Sequence, residues 1–316
     1  MINTNKTAVK FFFLGGLTTL TLAVILSFTF IKGLTQVDNT QDFPQNYKVL
    51  VPFIPDELEF AGERVPLENF DIRENIEREF IVNTYYHSAT ILYMKRAARW
   101  FPVIEEILDE YDVPDDFKYI AIAESGLENL ISPMNAVGFW QFLKETGKKF
   151  DLTINSEVDE RYHVEKSTEA ACKYLLDSYE KYGSWTLAAA SYNMGKTGVL
   201  KQLERQKATN YYNLVLNEET TRYIPRAVAL KNVLSNPNLY GFAIENDQLY
   251  EPFETYTVDV DSTVAHWADF AELNGINYKT LKLFNPWLRD NVLTNKSGKV
   301  YTIKLPVEGS IKIIPD

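Results

Sequence analysis

The sequence predicts a mainly α protein, one large all-helical domain followed by a small βααβ unit. Two patterns carry that expectation. From Val65 to about Phe242, apolar residues recur at helical spacing through long runs such as IRENIEREFIVNTYYHSATILYMKRAARWFPVIEEILDEY, with Gly or Pro at the breaks. After Glu251, YTVDV and KVYTIKLP alternate in strand fashion, with two short helical stretches, TVAHWADFAEL and YKTLKLF, between them.

In chain order, residues 1–10 contain Lys6 and Lys10 and precede an uncharged stretch from Phe11 to Ile31. Its length suits the roughly 20 residues a helix needs to cross a bilayer. Residues 11–31 are therefore expected to anchor the chain in a membrane. The lysines assign residues 1–10 to the cytoplasm, so the chain after Lys32 is expected to be exported, facing the periplasm or cell wall. A signal peptide is the competing expectation, which would leave the chain free in the periplasm after cleavage, but KGLTQVDNT offers no small-x-small cleavage site. Residues 32–69, rich in Asn, Gln, Asp, Glu and Pro around the apolar patch VLVPFIPDELEF, read as a linker that partly docks on the body.

The helical domain is assigned residues 70–242. Within it Pro114 suits the first turn of a new helix, DDFKYIAIAES, which should stop near Gly126. Another break falls at Gly183, after which Ser184 is a good N-cap for WTLAAASYNM, and Gly195 is placed to end that helix. NPNLYGFAIENDQLYEP is the boundary, and residues 251–316 form the βααβ unit.

A net charge of −11 leaves no basic face to neutralise phosphates, which excludes nucleic acid as a partner. The single cysteine, Cys172, cannot form an intramolecular disulfide, and Leu175, Leu176 and Tyr179 nearby make it a core thiol. His87, His163 and His266 stand singly without metal-ligand spacing, so neither a metal nor another cofactor is expected.

Phe117, Ile120 and Ala121 form an apolar stripe at i, i+3 and i+4, and Glu124 falls at i+7 on it. Desolvation there would disfavour the carboxylate and raise its pKa toward the working pH of a general acid. An ion-paired core glutamate, or a solvated one at the helix end, fits the same pattern. Aromatic and amide clusters suited to sugars occur at 138–142, 191–195 and 219–223, yet Trp140, Phe142 and Tyr192 also fit a plain core.

AIAESGLENLISPMNAVGFWQFLKETGKKFDL resembles the signature of the transglycosylase SLT domain, a goose-lysozyme-like helical fold, and especially its membrane-bound murein transglycosylase D group. The likeness covers roughly residues 70–242 and keeps the family's motif order. Glu124-Ser125 ends a helix, Gly138 to Phe142 follow, then ASYNMG at Ala190 to Gly195, then Glu219 to Pro225. The resemblance implies that Glu124 is catalytic. It protonates the bond between N-acetylmuramic acid and N-acetylglucosamine in peptidoglycan glycan strands, then acts as base while a 1,6-anhydro ring closes. It further implies that Ser125 bonds near that carboxyl, that Gln141 and Asn193 hold substrate, and that Tyr192 and Tyr223 line the cleft. Met194 stands where the family has Ala, and Phe139-Trp140 also depart from it, which bears on cleft shape.

Ring closure needs no second carboxylate, whereas hydrolysis does. No motif places Asp151 or Asp159 as that second group, and no second carboxylate is evident in the cleft. A muramidase or chitinase using water and a non-catalytic wall scaffold remain the alternatives. The C-terminal unit resembles a LysM module, a binder of N-acetylglucosamine-containing glycans, through Tyr256-Thr257-Val258 and Leu283-Phe284-Asn285-Pro286. Its DVDSTV turn and closing strand are degenerate, so the unit either binds glycan or only braces the catalytic domain.

Overall fold

The structure, a computed structural model, describes residues 49–311. The expected tail, membrane anchor and first part of the linker lie outside the described residues. Among the described residues no helix is long and apolar enough to cross a membrane. The fold is mainly helical with a small strand-containing C-terminal part, as the periodicities predict.

A short hairpin of β1 (Glu59–Phe60) and β2 (Glu63–Arg64) leads into α1 (Phe70–Tyr85) and α2 (His87–Glu110). A 3₁₀ turn over Asp115–Phe117 then enters α3 (Lys118–Ser125). A long loop separates α3 from α4 (Lys144–Lys149), and α5 (Val164–Tyr182), α6 (Trp185–Met194) and α7 (Lys196–Gln206) follow. α8 (Glu218–Thr221) and α9 (Tyr223–Ser235) complete the helical lobe. Helix α9 runs through its middle, packed on α1, α3 and α6. That position explains its many buried apolar residues: Ile224, Ala227, Val228, Leu230 and Val233 are all buried.

The expected stops have direct physical causes. Gly126 and Gly183 both take the left-handed conformation, φ 62°, and donate their N–H groups to Ile122 O and Tyr179 O. Ser184 Oγ accepts the Leu187 N–H at 3.3 Å and so caps α6. Cys172 is fully buried and its thiol is pushed up to about 12 by that burial, which makes it an inert core residue.

From residue 51 onward the expected linker is part of the folded body. Leu58, Phe60, Val65 and Leu67 are buried in the main core, with the Phe60 ring edge-on to Phe117 at 5.2 Å. Ala61 and Gly62, both at positive φ, make the tight hairpin turn. Asp116 Oδ2 pins that turn by accepting the Ala61 N–H at 2.7 Å while pairing with Lys231 of α9 at 2.8 Å. Polar composition concealed the segment because only its alternate side chains are apolar.

The C-terminal lobe is the βααβ unit: β3 (Thr255–Val260), α10 (Trp267–Leu273), α11 (Tyr278–Phe284) and β4 (Tyr301–Pro306). β3 and β4 are antiparallel, with Thr255 opposite Pro306 and Val260 opposite Tyr301. Trp267, Leu281, Leu293, Ile303 and Leu305 form its core, and Val137, Val158 and Tyr162 of the helical lobe belong to the same cluster.

Candidate active site

Glu124 lies in the last turn of α3, where Gly126 stops the helix and the stripe of Phe117, Ile120 and Ala121 is fully buried beneath it. The carboxyl is only partly exposed and lines two adjoining cavities. One, of about 600 Å³, lies toward Gln141, Tyr192, Asn193 and Glu219. The other, of about 420 Å³, is built by Tyr86, Ser88, Tyr93 and Arg96 at the α1–α2 corner together with Glu128. The two cavities make a groove that continues on both sides of one acid.

Burial is the main reason the Glu124 carboxyl is pushed up to about 7, and the negative charge of Glu219 adds to it. A hydrogen bond from the Tyr223 hydroxyl to Glu124 Oε1 and the positive charge of Arg226 act the other way. Tyr223 itself is buried, and desolvation beside Glu124 holds its hydroxyl well above the usual tyrosine range, so it acts as a fixed donor.

The structure brings the remaining expected residues together, with differences in what each does. Gln141, at a left-handed φ of 49°, lines the larger cavity, and its amide nitrogen is held by Gly138 O at 2.8 Å. Tyr192 donates to Trp140 O at 2.7 Å and packs edge-on against Trp140, Phe142 and Tyr174, which fixes the wall beside Glu124. Asn193 accepts from Thr220 Oγ1 at 2.6 Å and donates to Glu219 Oε1 at 3.1 Å. Ser125, next to the acid, is buried and donates to the Phe139 carbonyl at 2.9 Å. Its hydroxyl ties the end of α3 to the following loop. Trp140, wholly buried with Nε1 bonded to Thr168 Oγ1 at 2.8 Å, is core, so of the residues departing from the family pattern Met194 lines the cleft and Trp140 does not.

No second carboxylate in the cleft was evident from the sequence, and the structure places one there: Glu219 is exposed and lines the larger cavity with Glu124. Asp159 is buried against Arg161 at 2.7 Å, and Asp151 pairs with Lys173 at the surface. The signal for Glu219 was its place at the head of the 219–223 cluster, where it was given no role. A second residue missed by sequence reasoning is Glu79 of α1, with no exposed surface, which binds Arg222 Nε at 2.6 Å and faces Arg226 Nε at 3.6 Å. A single acidic residue in a charged helix such as IRENIEREF gives no sign of burial.

Residues 102–215 match the family model described as the transglycosylase SLT domain, and residues 256–309 match the soluble lytic transglycosylase C-terminal LysM-like domain. The chain carries a transglycosylase SLT domain. Curated relatives include the membrane-bound lytic murein transglycosylase D of Escherichia coli K12 and that of Escherichia coli O6:H1, each 30% identical over 257 residues. The alignment covers 79% of this chain and 54% of each relative, so the chain spans about half their length. The SLT match ends before Glu219 and Tyr223, yet Tyr223 bonds the Glu124 carboxyl and Glu219 lines the same cavity.

Proposed function

We propose that this chain is a peptidoglycan lytic transglycosylase, with Glu124 as its single acid and base. The observation that carries the reading is a partly buried carboxyl, raised to about 7, in the middle of a groove open on both sides. Near neutrality such a group is present in both forms, as a residue that first gives and then takes a proton requires. The protonated acid delivers its proton to the glycosidic oxygen of the MurNAc–GlcNAc bond as C1–O4 breaks. The resulting carboxylate then removes the proton of the muramoyl C6 hydroxyl as O6 closes on C1. The product is 1,6-anhydroMurNAc, and no water is consumed. Tyr223 orients the carboxyl, while Gln141, Asn193 and the Tyr192 wall bind the sugar rings and amides. Ser125 supports them by holding the loop. Residues 11–31 would keep the SLT domain on the outer face of the membrane, beside the glycan strands.

Glu219 supports a second reading, because a carboxylate across the cleft could activate water and make the enzyme a muramidase. Mass spectrometry of digested peptidoglycan separates the two, since anhydro products are lighter than hydrolysed ones by one water. Predominantly reducing-end products would reject ring closure. Glu219→Gln adds an independent check: it keeps turnover if Glu219 only tunes Glu124, and abolishes it if Glu219 is the base.

The pH dependence follows from the same charges. Activity is expected to fall as pH rises through about 7, where Glu124 loses the proton it must donate. Tyr223→Phe removes a hydrogen bond that favours the carboxylate, so the falling limb should move to higher pH. Glu219→Gln removes a repulsive charge, so the limb should move to lower pH. pH profiles of kcat/KM for the two variants measure both shifts, and shifts of the same sign would contradict this electrostatic account.

A further inference from the structure

The C-terminal lobe is joined to the helical lobe by far more than the chain between them. Its 285–300 loop lies along residues 153–162: the Asp159 N–H donates to Trp287 O at 2.9 Å, and the Arg289 N–H donates to Glu157 O at 2.7 Å. The Thr294 N–H reaches Glu157 Oε2 at 2.6 Å, and Lys299 Nζ donates to Thr153 Oγ1 at 2.6 Å. Val158 and Leu288 pair as a β-bridge, and both are buried in the cluster that forms the C-terminal core.

The same 153–162 segment holds one wall of the cleft from its other side. Asp159 clamps the Arg161 guanidinium through two bonds, Nε to Oδ1 at 2.9 Å and Nη2 to Oδ2 at 2.7 Å. Arg161 Nη1 then donates to Asn135 O at 3.2 Å and Phe142 O at 3.1 Å. Those carbonyls belong to the 131–142 segment, whose Ser132, Met134, Gln141 and Phe142 line the larger cavity beside Glu124. Val137, which pairs with Ile131 and Phe142 inside that segment, also inserts into the C-terminal lobe's own core. Arg161 is 8% exposed and its fork is occupied by four acceptor contacts, so it cannot reach substrate. Its influence can pass only through the wall it holds.

We propose that the C-terminal lobe is a structural part of the cleft, keeping the 131–142 wall in register through Val158, Leu288 and Arg161, with Arg161 as a positioning residue. A lobe serving only to hold the enzyme on glycan would need no shared core with the loop that forms the substrate wall. Positioning of this kind has large kinetic leverage, because a misplacement of about 1 Å can cost about 10²-fold in rate.

Leu288→Ala and Arg161→Lys in the full chain test this, with Val158→Ala as a milder opening of the same contact from the helical side. Three readouts are compared with wild type: amide hydrogen exchange over 131–142, kcat and KM on soluble uncrosslinked glycan strands, and sedimentation with whole cell walls. The Gly138 and Phe142 amides, bonded to Leu130 O and Val137 O, are expected to exchange faster in all three variants. Turnover should fall by about tenfold or more in kcat, within the range that such misplacement produces, while sedimentation with walls is retained. Unchanged exchange over 131–142 together with unchanged kcat and weakened wall binding would overturn the proposal and make the lobe an adhesion module. The kinetic arm rests on the proposed transglycosylase function, whereas the exchange arm does not. Faster exchange in a protein whose wild type cleaves no glycan would uphold the brace and reject the activity.

Discussion

Glu124→Gln is expected to abolish turnover and, above neutral pH, to make the protein more stable. The kinetic loss follows from the proposed double role: general acid catalysis alone is worth about 10²- to 10⁴-fold, and under that proposal the same residue also acts as base. The stability gain follows from burial. The carboxyl is raised from an ordinary 4.5 to about 7, so between those values the folded state holds a proton that the unfolded state has released. Stability therefore falls as pH rises across that window and is flat above it. A shift of this size corresponds to about 3 kcal/mol at most. Neutral glutamine does not carry that cost, so the variant should melt higher than wild type at pH 8 and close to it at pH 4. Glycan binding should persist at both. A variant that melts below wild type at pH 8 would mean that the ionised carboxyl is stabilising, and the account of a desolvated acid would fail.

Gly138→Ala is the second change with a large expected effect. A Cβ at Gly138 would lie 1.9 Å from the carbonyl oxygen of Arg161 and 2.9 Å from its carbonyl carbon, and φ there is +83°. The obstacle is backbone, which cannot rotate aside as a flexible side chain could. The 131–142 segment must then lift off the 153–162 segment, and a destabilisation above about 4 kcal/mol is expected, in the range reserved for disrupted cores and special backbone sites. Gly183→Ala is the control. Its φ of +62° is similar, but nothing lies within 4 Å of the added methyl, so only the left-handed penalty of about 1 kcal/mol remains. Urea midpoints for the two variants give the comparison, and equal losses would show that close approach at Gly138 is not what the glycine serves.

What could be read from the residues was whatever depends on local geometry. The stop of α3 at Gly126, the break at Gly183, the Ser184 cap and the βααβ order all follow from spacing and backbone preference within a few residues. The position of Glu124 on an apolar stripe was legible in the same way, although its surroundings were not. Glu219 lines the same cavity as Glu124 although the two stand far apart in the chain, a juxtaposition that no periodicity reports. The partner of the Ser125 hydroxyl, the Phe139 carbonyl 14 positions on, was not legible for a related reason. The hairpin at 59–64 escaped notice because its strands are only two residues long, too short for alternation to register.

The core that Val137 and Val158 share with Leu288 and Trp287 bears on how such chains can change over generations. Modules strung on flexible linkers can be exchanged by recombination without loss, since neither partner supplies the other's interior. Here a crossover between residues 242 and 251 would leave a hole on one side and an exposed apolar face on the other. The two lobes must therefore be inherited and altered as a pair, with any change of volume at Val158 answered by one at Leu288.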